Sequence, residues 1–304
     1  MAGNRGERQD GDGIPITQNG QKVISHRQPT AYYRPMLHTL ALAALVALPG
    51  LPLAAQSLDV DQIVQAEILP GWRAEGGQHF AALHLTLAPG WHTYWRNPGA
   101  SGIPPDLGWQ GSANLAALTV HWPVPVVFSI NGAKSIGYMG DLVLPLELTP
   151  TLPGQPLDLA LTADLGICKE ICVPVSLTLN AALGVGAAPE NAAITAALAS
   201  RPIAAKAAGL TGLTCRVEPI ADGLRVTADM MLPTTGTDEL GVIELDSGGV
   251  WASPPDLSRN GNALQLTADL VPPGGAPFVL DRSQLRITIL GTDRAVEAVG
   301  CPAG

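Results

Sequence analysis

The stretch "LDLALTADLGICKEICVPVSLTLNA" (residues 157–181) alternates apolar with polar or small residues on both sides of a short turn sequence. Alternation with a period of two is typical of a strand with one buried face. Gly166 and Pro174 flank the turn and favour a tight β connection over a helix. We therefore predict a β-hairpin whose neck brings Cys168 and Cys172 within disulfide distance. A single helical turn with both thiols on one face would also allow their contact.

The same alternation recurs along the rest of the chain, and turn residues separate the alternating segments. With 27 prolines and 34 glycines among 304 residues, the composition favours many short connections between strands. The chain is therefore predicted to be all-β, with strands packed as sandwiches. The further alternating segments lie at 80–88, 142–148, 224–229, 263–270 and 284–290.

A helix is predicted where the alternation stops. "PENAAITAALAS" (189–200) is rich in alanine, and the following Arg-Pro pair ends a helix. This segment lies between two strand-rich blocks, each of about the length of a domain. We predict a β domain at 56–183, a helical linker at 184–208 and a smaller β domain at 209–304.

The N-terminal part of the chain has the order of a secretory signal. Arg34 precedes an uncharged apolar run at 37–48, which is followed by helix breakers and small residues up to Ala55. The run is too short and too broken for a permanent membrane anchor. We predict a leader at 1–55, translation that starts at Met36, export to the periplasm, and no stable membrane insertion after cleavage.

The charge of the remaining chain excludes some partners. Beyond the leader there are 12 basic and 23 acidic residues, a net charge of −11. Nucleic acid and anionic membrane surfaces are repelled by such a protein.

The four cysteines differ in what a bridge would contribute to stability. The chain-entropy estimate is about 2 kcal/mol for the short Cys168–Cys172 loop and about 4.6 kcal/mol for the loop between Cys215 and Cys301. The long pair is therefore predicted to be a structural disulfide. The short pair has three interpretations: a redox-active pair, an inert local disulfide, or a metal site. No further ligand motif supports zinc, whereas Cu(I) would accept two thiolates and Met139.

Another aromatic-rich segment, "GWHTYWRNPG" (90–99), holds polar side chains that suggest a catalytic or sugar-binding loop. We interpret it instead as a packed aromatic corner that turns at Asn-Pro-Gly.

Three stretches together resemble a known family: "PGWHTYWRNPGASGIPP" (89–105), "KSIGYMGDLVLPLEL" (134–148) and "DLGICKEICVPV" (164–175). In this order and spacing they are similar to the periplasmic N-terminal domain of the DsbD thiol:disulfide interchange family, especially its ScsB-type branch, which is linked to copper tolerance. The resemblance covers about residues 60–183.

The resemblance implies an immunoglobulin-like sandwich in which Cys168 and Cys172 are the redox pair and Cys172 forms the mixed disulfide. It also implies a cap loop, here at about 127–138, that shields the pair. Asn131 stands at the aromatic cap position of the family, and Phe128 is the nearest aromatic substitute. Tyr138 is a candidate hydrogen-bond donor next to the thiols.

The expected function is protein-disulfide reductase or oxidoreductase chemistry without a nicotinamide, flavin or metal cofactor. Because the sequence holds no counterpart of the family's membrane channel or thioredoxin-like domain, the resemblance implies a separate CcdA- or DsbD-like membrane electron donor and thioredoxin-fold periplasmic acceptors. The alternative is a binding or scaffold protein, in which the cysteines hold Cu(I) or form a structural disulfide.

We expect the exported protein to begin near Gln56, because the basic, apolar and small-residue segments end at Ala55. N-terminal sequencing of periplasmic material tests this expectation. Exported protein that still carries residues 1–35 would contradict both the cleavage site and the start at Met36.

Overall fold

A computed structural model describes residues 59–130, 132–186, 188–245, 249–275 and 278–304. The predicted leader, with Met36 and Ala55, lies outside the described residues, as does Asn131. None of the described helices is long and apolar enough to cross a membrane.

The first half of the described chain forms two facing β-sheets. One sheet has the strand order β1-β2-β8-β5, and the other has the order β10-β9-β3-β7-β6, with β4 paired to β9. The strands are β1 (Val64–Arg73), β2 (His79–Leu87), β3 (His92–Gly99), β4 (Asp106–Gly108), β5 (Leu115–Val120), β6 (Val126–Ile130), β7 (Ala133–Met139), β8 (Asp141–Pro150), β9 (Leu157–Cys168) and β10 (Cys172–Leu183).

The alternation in β9 determines which of its side chains reach the core. Leu157, Leu161 and Leu165 are buried among side chains of both sheets, whereas Asp158 and Thr162 between them are exposed. Successive side chains of a strand point to opposite faces, so the leucines face the second sheet and the polar residues face outward. The two sheets therefore form a sandwich around one apolar core.

The predicted helix is α1 (Ala192–Ala199), and its start follows from a side-chain cap. The Asn191 side chain accepts hydrogen bonds from the backbone N–H groups of Ala193 and Ile194. Such a cap satisfies donors that have no partner within the helix. Ile194 is fully buried, so packing on the first sandwich adds to the alanine propensity.

The second half of the described chain also forms two facing sheets. Their strand orders are β11-β19-β18-β14 and β12-β13-β17-β15, with β16 paired to β17. The strands are β11 (Ile203–Ala204), β12 (Gly212–Ile220), β13 (Gly223–Met231), β14 (Leu240–Leu245), β15 (Trp251–Ala252), β16 (Asp256–Asn260), β17 (Ala263–Val271), β18 (Leu285–Leu290) and β19 (Ala295–Val299).

Three 3-10 turns complete the secondary structure of the described residues, at Val60–Gln62, Pro273–Gly275 and Arg282–Gln284. All the alternating segments named from the sequence coincide with strands, to within one residue at Ala88 and Gln284. The all-β prediction is therefore confirmed.

The Cys215–Cys301 disulfide ties the C-terminal segment to β12. Both cysteines are buried in the core of the second sandwich. The backbone N–H of Cys215 donates to Pro302, and the Arg282 guanidinium donates to the Cys215 carbonyl at 2.8 Å. The bridge is thus packed and hydrogen-bonded at both ends.

The two sandwiches share apolar contacts. Val242, Leu290 and Ala295 of the second sandwich belong to the core cluster of the first. All described residues accordingly fall in one compact unit. We keep the division at 56–183, 184–208 and 209–304 as a proposal about separate domains within this unit.

Replacing both Cys215 and Cys301 by alanine should lower the free energy of unfolding by roughly 2–5 kcal/mol, because the bridge closes a long loop. Denaturant titration measures this loss, and the alkylation rate of reduced Cys172 serves as the control. A double variant as stable as the parent would contradict a structural role for the bridge.

Candidate functional site

The candidate site is the disulfide at the end of the β9–β10 hairpin. Cys168 ends β9, Cys172 begins β10, and the two are direct partners across the hairpin with Cα atoms 4.1 Å apart. Cys168 is 1% exposed, whereas Cys172 is open to solvent. Solvent therefore reaches Cys172 and not Cys168.

The bridge lies on the outer face of its sheet. Inward-facing residues of β9 include Leu165 and Ile167, so Cys168 points away from the core. His92 on β3 is the strand partner of Cys168 and shares this outer face. Burial of Cys168 is therefore due to side chains and chain segments outside the sandwich core.

Tyr94 is the polar side chain in contact with the bridge. Its hydroxyl donates to the Cys168 sulfur at 3.4 Å and lies 3.8 Å from the Cys172 sulfur. Burial raises the pKa of the Tyr94 phenol, so it keeps its proton at neutral pH. After reduction the same hydroxyl would donate to a thiolate, and hydrogen bonds to the charged form lower a pKa.

His92 fills the space beside Tyr94. Its ring meets the Tyr94 ring edge-on at 5.4 Å and the Phe128 ring at 4.8 Å between centroids. Burial lowers the pKa of His92, so the imidazole is neutral at pH 7. Its Nε2 is buried and has no hydrogen-bond partner in the part of the chain that the structure describes.

The segment after β3 covers the site, and two glycines allow it to approach. Gly102 has φ 141°, and a Cβ there would lie 2.5 Å from the Tyr94 ring. A Cβ on Gly166 of β9 would meet the Ile103 side chain at 2.8 Å. Both close approaches are possible only because glycine has no side chain. The "GASGIPP" and "DLGIC" motifs therefore pack against each other beside the Cys168–Cys172 bridge.

Charged groups at the tip of the hairpin lie in solvent. Lys169 and Glu170 are exposed, and the Lys169 ammonium donates to the Pro89 carbonyl at 3.3 Å. Exposed charges are screened by water and salt. The Tyr94 hydroxyl therefore affects the thiols formed on reduction more strongly than Lys169 or Glu170 does.

The segment predicted as a cap, 127–138, forms most of the β6–β7 hairpin. Phe128 lies on the outer face against His92, so it shields the site through that ring. Tyr138 faces inward, where its hydroxyl donates to the Pro123 carbonyl at 2.8 Å and burial raises its pKa. The phenol next to the sulfurs is thus Tyr94, and the Tyr138 hydroxyl is engaged away from them.

Sequence reasoning assigned His92 and Tyr94 to a packed aromatic corner and did not connect them with the cysteines. Their spacing of two places them on one face of a strand, with Trp95 on the other face in the core. This spacing can be read from the sequence. The pairing of β3 with β9 cannot, because His92 and Cys168 are far apart in the chain.

Metal binding would require several ligating side chains close together. Among the described residues, no group of three or more His, Cys, Asp and Glu side chains is arranged to hold a metal ion. Met139, the thioether considered for Cu(I), is the strand partner of His92 and is 53% exposed.

Comparisons with known proteins identify the first sandwich. Residues 58–182 match the family "Thiol:disulfide interchange protein DsbD, N-terminal". A structure with a similar fold is the crystal structure of the N-terminal periplasmic domain of ScsB from Proteus mirabilis. It is 22% identical, with a TM-score of 0.54 over 79% of this chain and 92% of that chain. The comparison with curated proteins found no match.

The class of the first sandwich follows from these findings together with the fold. It is an immunoglobulin-like, all-β domain of the DsbD N-terminal type, and the resemblance noted in the sequence is confirmed. The similar ScsB domain has the same overall fold, and both sandwiches of this chain contribute to the match.

Replacing Tyr94 by phenylalanine should move the alkylation of reduced Cys172 to higher pH, because the hydroxyl that would donate to its thiolate is lost. The pH dependence of its alkylation by iodoacetamide measures this change. Tyr138→Phe is the matched control, since it removes a hydroxyl that donates to Pro123. Equal shifts in both variants, or none in Tyr94→Phe, would contradict the assigned role of Tyr94.

Proposed function

We propose that this protein is a periplasmic thiol:disulfide interchange protein that passes reducing equivalents through Cys168 and Cys172 to oxidised periplasmic proteins. The two cysteines of the bridge differ in a way that suits exchange: Cys172 is exposed, Cys168 is buried, and the Tyr94 hydroxyl lies 3.4 and 3.8 Å from the Cys168 and Cys172 sulfurs. The DsbD N-terminal-type domain around it supports the same chemistry.

The reaction begins from the reduced pair. The Cys172 thiolate attacks one sulfur of the partner's disulfide, which forms a mixed disulfide and releases the partner's other sulfur as a thiolate that takes a proton from water. Cys168 then loses its proton and attacks the Cys172 sulfur. The partner leaves with a second thiol, so that two electrons and two protons have moved to it.

The two cysteines have different roles because they differ in exposure and in hydrogen bonding. Only Cys172 is open to an incoming protein, so it forms the intermolecular bond. Cys168, buried behind it, reaches the mixed disulfide without competition from solvent or other thiols. The Tyr94 hydroxyl favours the thiolate form of the attacking cysteine, which is the reactive form.

The surroundings of the bridge suit contact with another protein. Ile171 in the hairpin turn and Met139 on β7 are 61% and 53% exposed. Exposed apolar side chains around a reactive group favour transient docking. We propose thioredoxin-fold periplasmic proteins as the acceptors and a separate CcdA- or DsbD-like membrane protein as the donor that reduces the pair again.

Copper binding is the second candidate function. One observation favours it: His92 has Cys168 as its strand partner on one side and Met139 on the other, so these side chains share a face. A reduced pair would supply two thiolates, the soft ligands that Cu(I) prefers. In this alternative, transfer of electrons to a partner is not required.

Cys168→Ala should accumulate a mixed disulfide between Cys172 and a periplasmic partner, because the resolving thiol is missing. Cys172→Ala should trap none, since its remaining thiol is buried. Non-reducing electrophoresis followed by mass spectrometry of the trapped species measures both outcomes. In the Cys172→Ala protein, far-UV circular dichroism should show an unchanged fold.

Trapping by Cys172→Ala instead of Cys168→Ala would contradict the assigned roles of the two cysteines. If neither variant traps a partner and the reduced parent binds Cu(I) with an affinity that each variant loses, the copper alternative replaces the exchange function.

A further inference from the structure

Arg96 connects the strand beside the redox bridge to the second sandwich. It lies on β3 two residues after Tyr94, with its guanidinium 4.0 Å above the Trp95 ring. Its Nε donates to Glu244 on β14 at 3.0 Å, and its Nη2 donates to Glu297 on β19 at 2.6 Å. One side chain of the first sandwich therefore holds two carboxylates of the second.

These ion pairs are shielded from water. The side chains of Arg96, Glu244 and Glu297 are 17%, 14% and 18% exposed, and Arg286 also pairs with Glu297 at 2.6 Å. Burial raises the pKa of Glu244, and the charge of Arg96 opposes that rise. Two arginines thus face two glutamates, and removal of one charge would leave another without compensation in a buried place.

After Tyr94, the position of the β3 backbone depends on side-chain contacts such as these ion pairs. Tyr94 pairs with Gly137 of β7, and the next paired residue of β3 is Gly99, after a shift in register. The pairing of β3 with β9 is confined to His92. The stretch between Tyr94 and Gly99 is consequently positioned by its side chains, with Trp95 in the core and Arg96 on the glutamates.

We propose that Arg96 is a positioning residue: through Glu244 and Glu297, the second sandwich fixes the part of β3 that keeps the Tyr94 hydroxyl at hydrogen-bond distance from the redox sulfurs. The proposal rests on the exchange function proposed above and assigns a part in it to the second sandwich. Apolar contacts of Val242 and Leu290 with the first core add to the same attachment.

The test uses the full exported chain in its reduced form. Arg96→Gln should lower the alkylation rate of Cys172 at pH 7 by roughly three- to tenfold, because the Tyr94 hydrogen bond to the thiolate is weakened. In the Tyr94→Phe background the same substitution should have no further effect on the rate, since the group through which Arg96 acts is gone. A merely structural role of Arg96 would not produce this dependence on Tyr94.

The matched control is Arg225→Gln, which removes an exposed guanidinium paired with Asp269 within the second sandwich. It should leave the alkylation rate unchanged. Glu244→Gln keeps the size of the side chain and an acceptor for Arg96, and it serves as the second variant if Arg96→Gln does not fold. Glu244→Gln should also lower the alkylation rate of Cys172, again only when Tyr94 is present.

A folded Arg96→Gln or Glu244→Gln protein with the parental rate would overturn the proposal, as would an equal loss in the Tyr94→Phe background. Alkylation of Cys172 is measurable whether or not the protein exchanges disulfides with a partner. Failure of the positioning role is therefore distinguishable from failure of the exchange function, which the trapping experiment reports.

Discussion

The alternation of side chains along β9 is the constraint on which the site depends. The leucines at 157, 161 and 165 must face the core, and this phase directs Cys168 to the outer face. A sulfur on the outer face can be reached only if the chain leaves it open, and here the chain covers Cys168 and leaves Cys172 exposed. The different exposure of the two cysteines thus follows from the phase of one strand and the cover over its end.

Three successive residues of the neighbouring strand β3 make different contacts. Trp95 lies in the core, the Tyr94 hydroxyl contacts the sulfurs of the bridge, and the Arg96 guanidinium pairs with Glu244 and Glu297. The contact between the sandwiches and the contact with the bridge therefore lie only two residues apart on one strand.

Local patterns in the sequence predicted the fold well. The strands, the hairpin at the cysteines and the helix near 189–200 depend on alternation, turn residues and alanine propensity, which are properties of neighbouring residues. The inward direction of Tyr138 was also readable, since Ile136 two residues before it has the same phase and joins the core. This phase places the Tyr138 hydroxyl at the Pro123 carbonyl and not at the thiols.

The rest of the site could not be derived from the sequence because it depends on contacts between distant segments. Tyr94 reaches Cys168 across 74 residues, and Arg96 reaches Glu297 across 201. Neither contact leaves a periodic trace in the chain. The contact of the Ile103 side chain with Gly166 also joins distant segments and could not be derived, although the glycines themselves indicate close approach of the backbone.

If Cys168–Cys172 exchanges with partners and Cys215–Cys301 is structural, the two bridges should differ in reduction potential. Equilibration of the exported chain with glutathione and dithiothreitol redox buffers, followed by mass spectrometry of the alkylated cysteines, measures both potentials in one molecule. We expect Cys168–Cys172 to open first, above about −300 mV, and Cys215–Cys301 to stay closed to lower potentials, as structural disulfides do. A Cys168–Cys172 bridge that is the harder of the two to reduce would contradict this expectation.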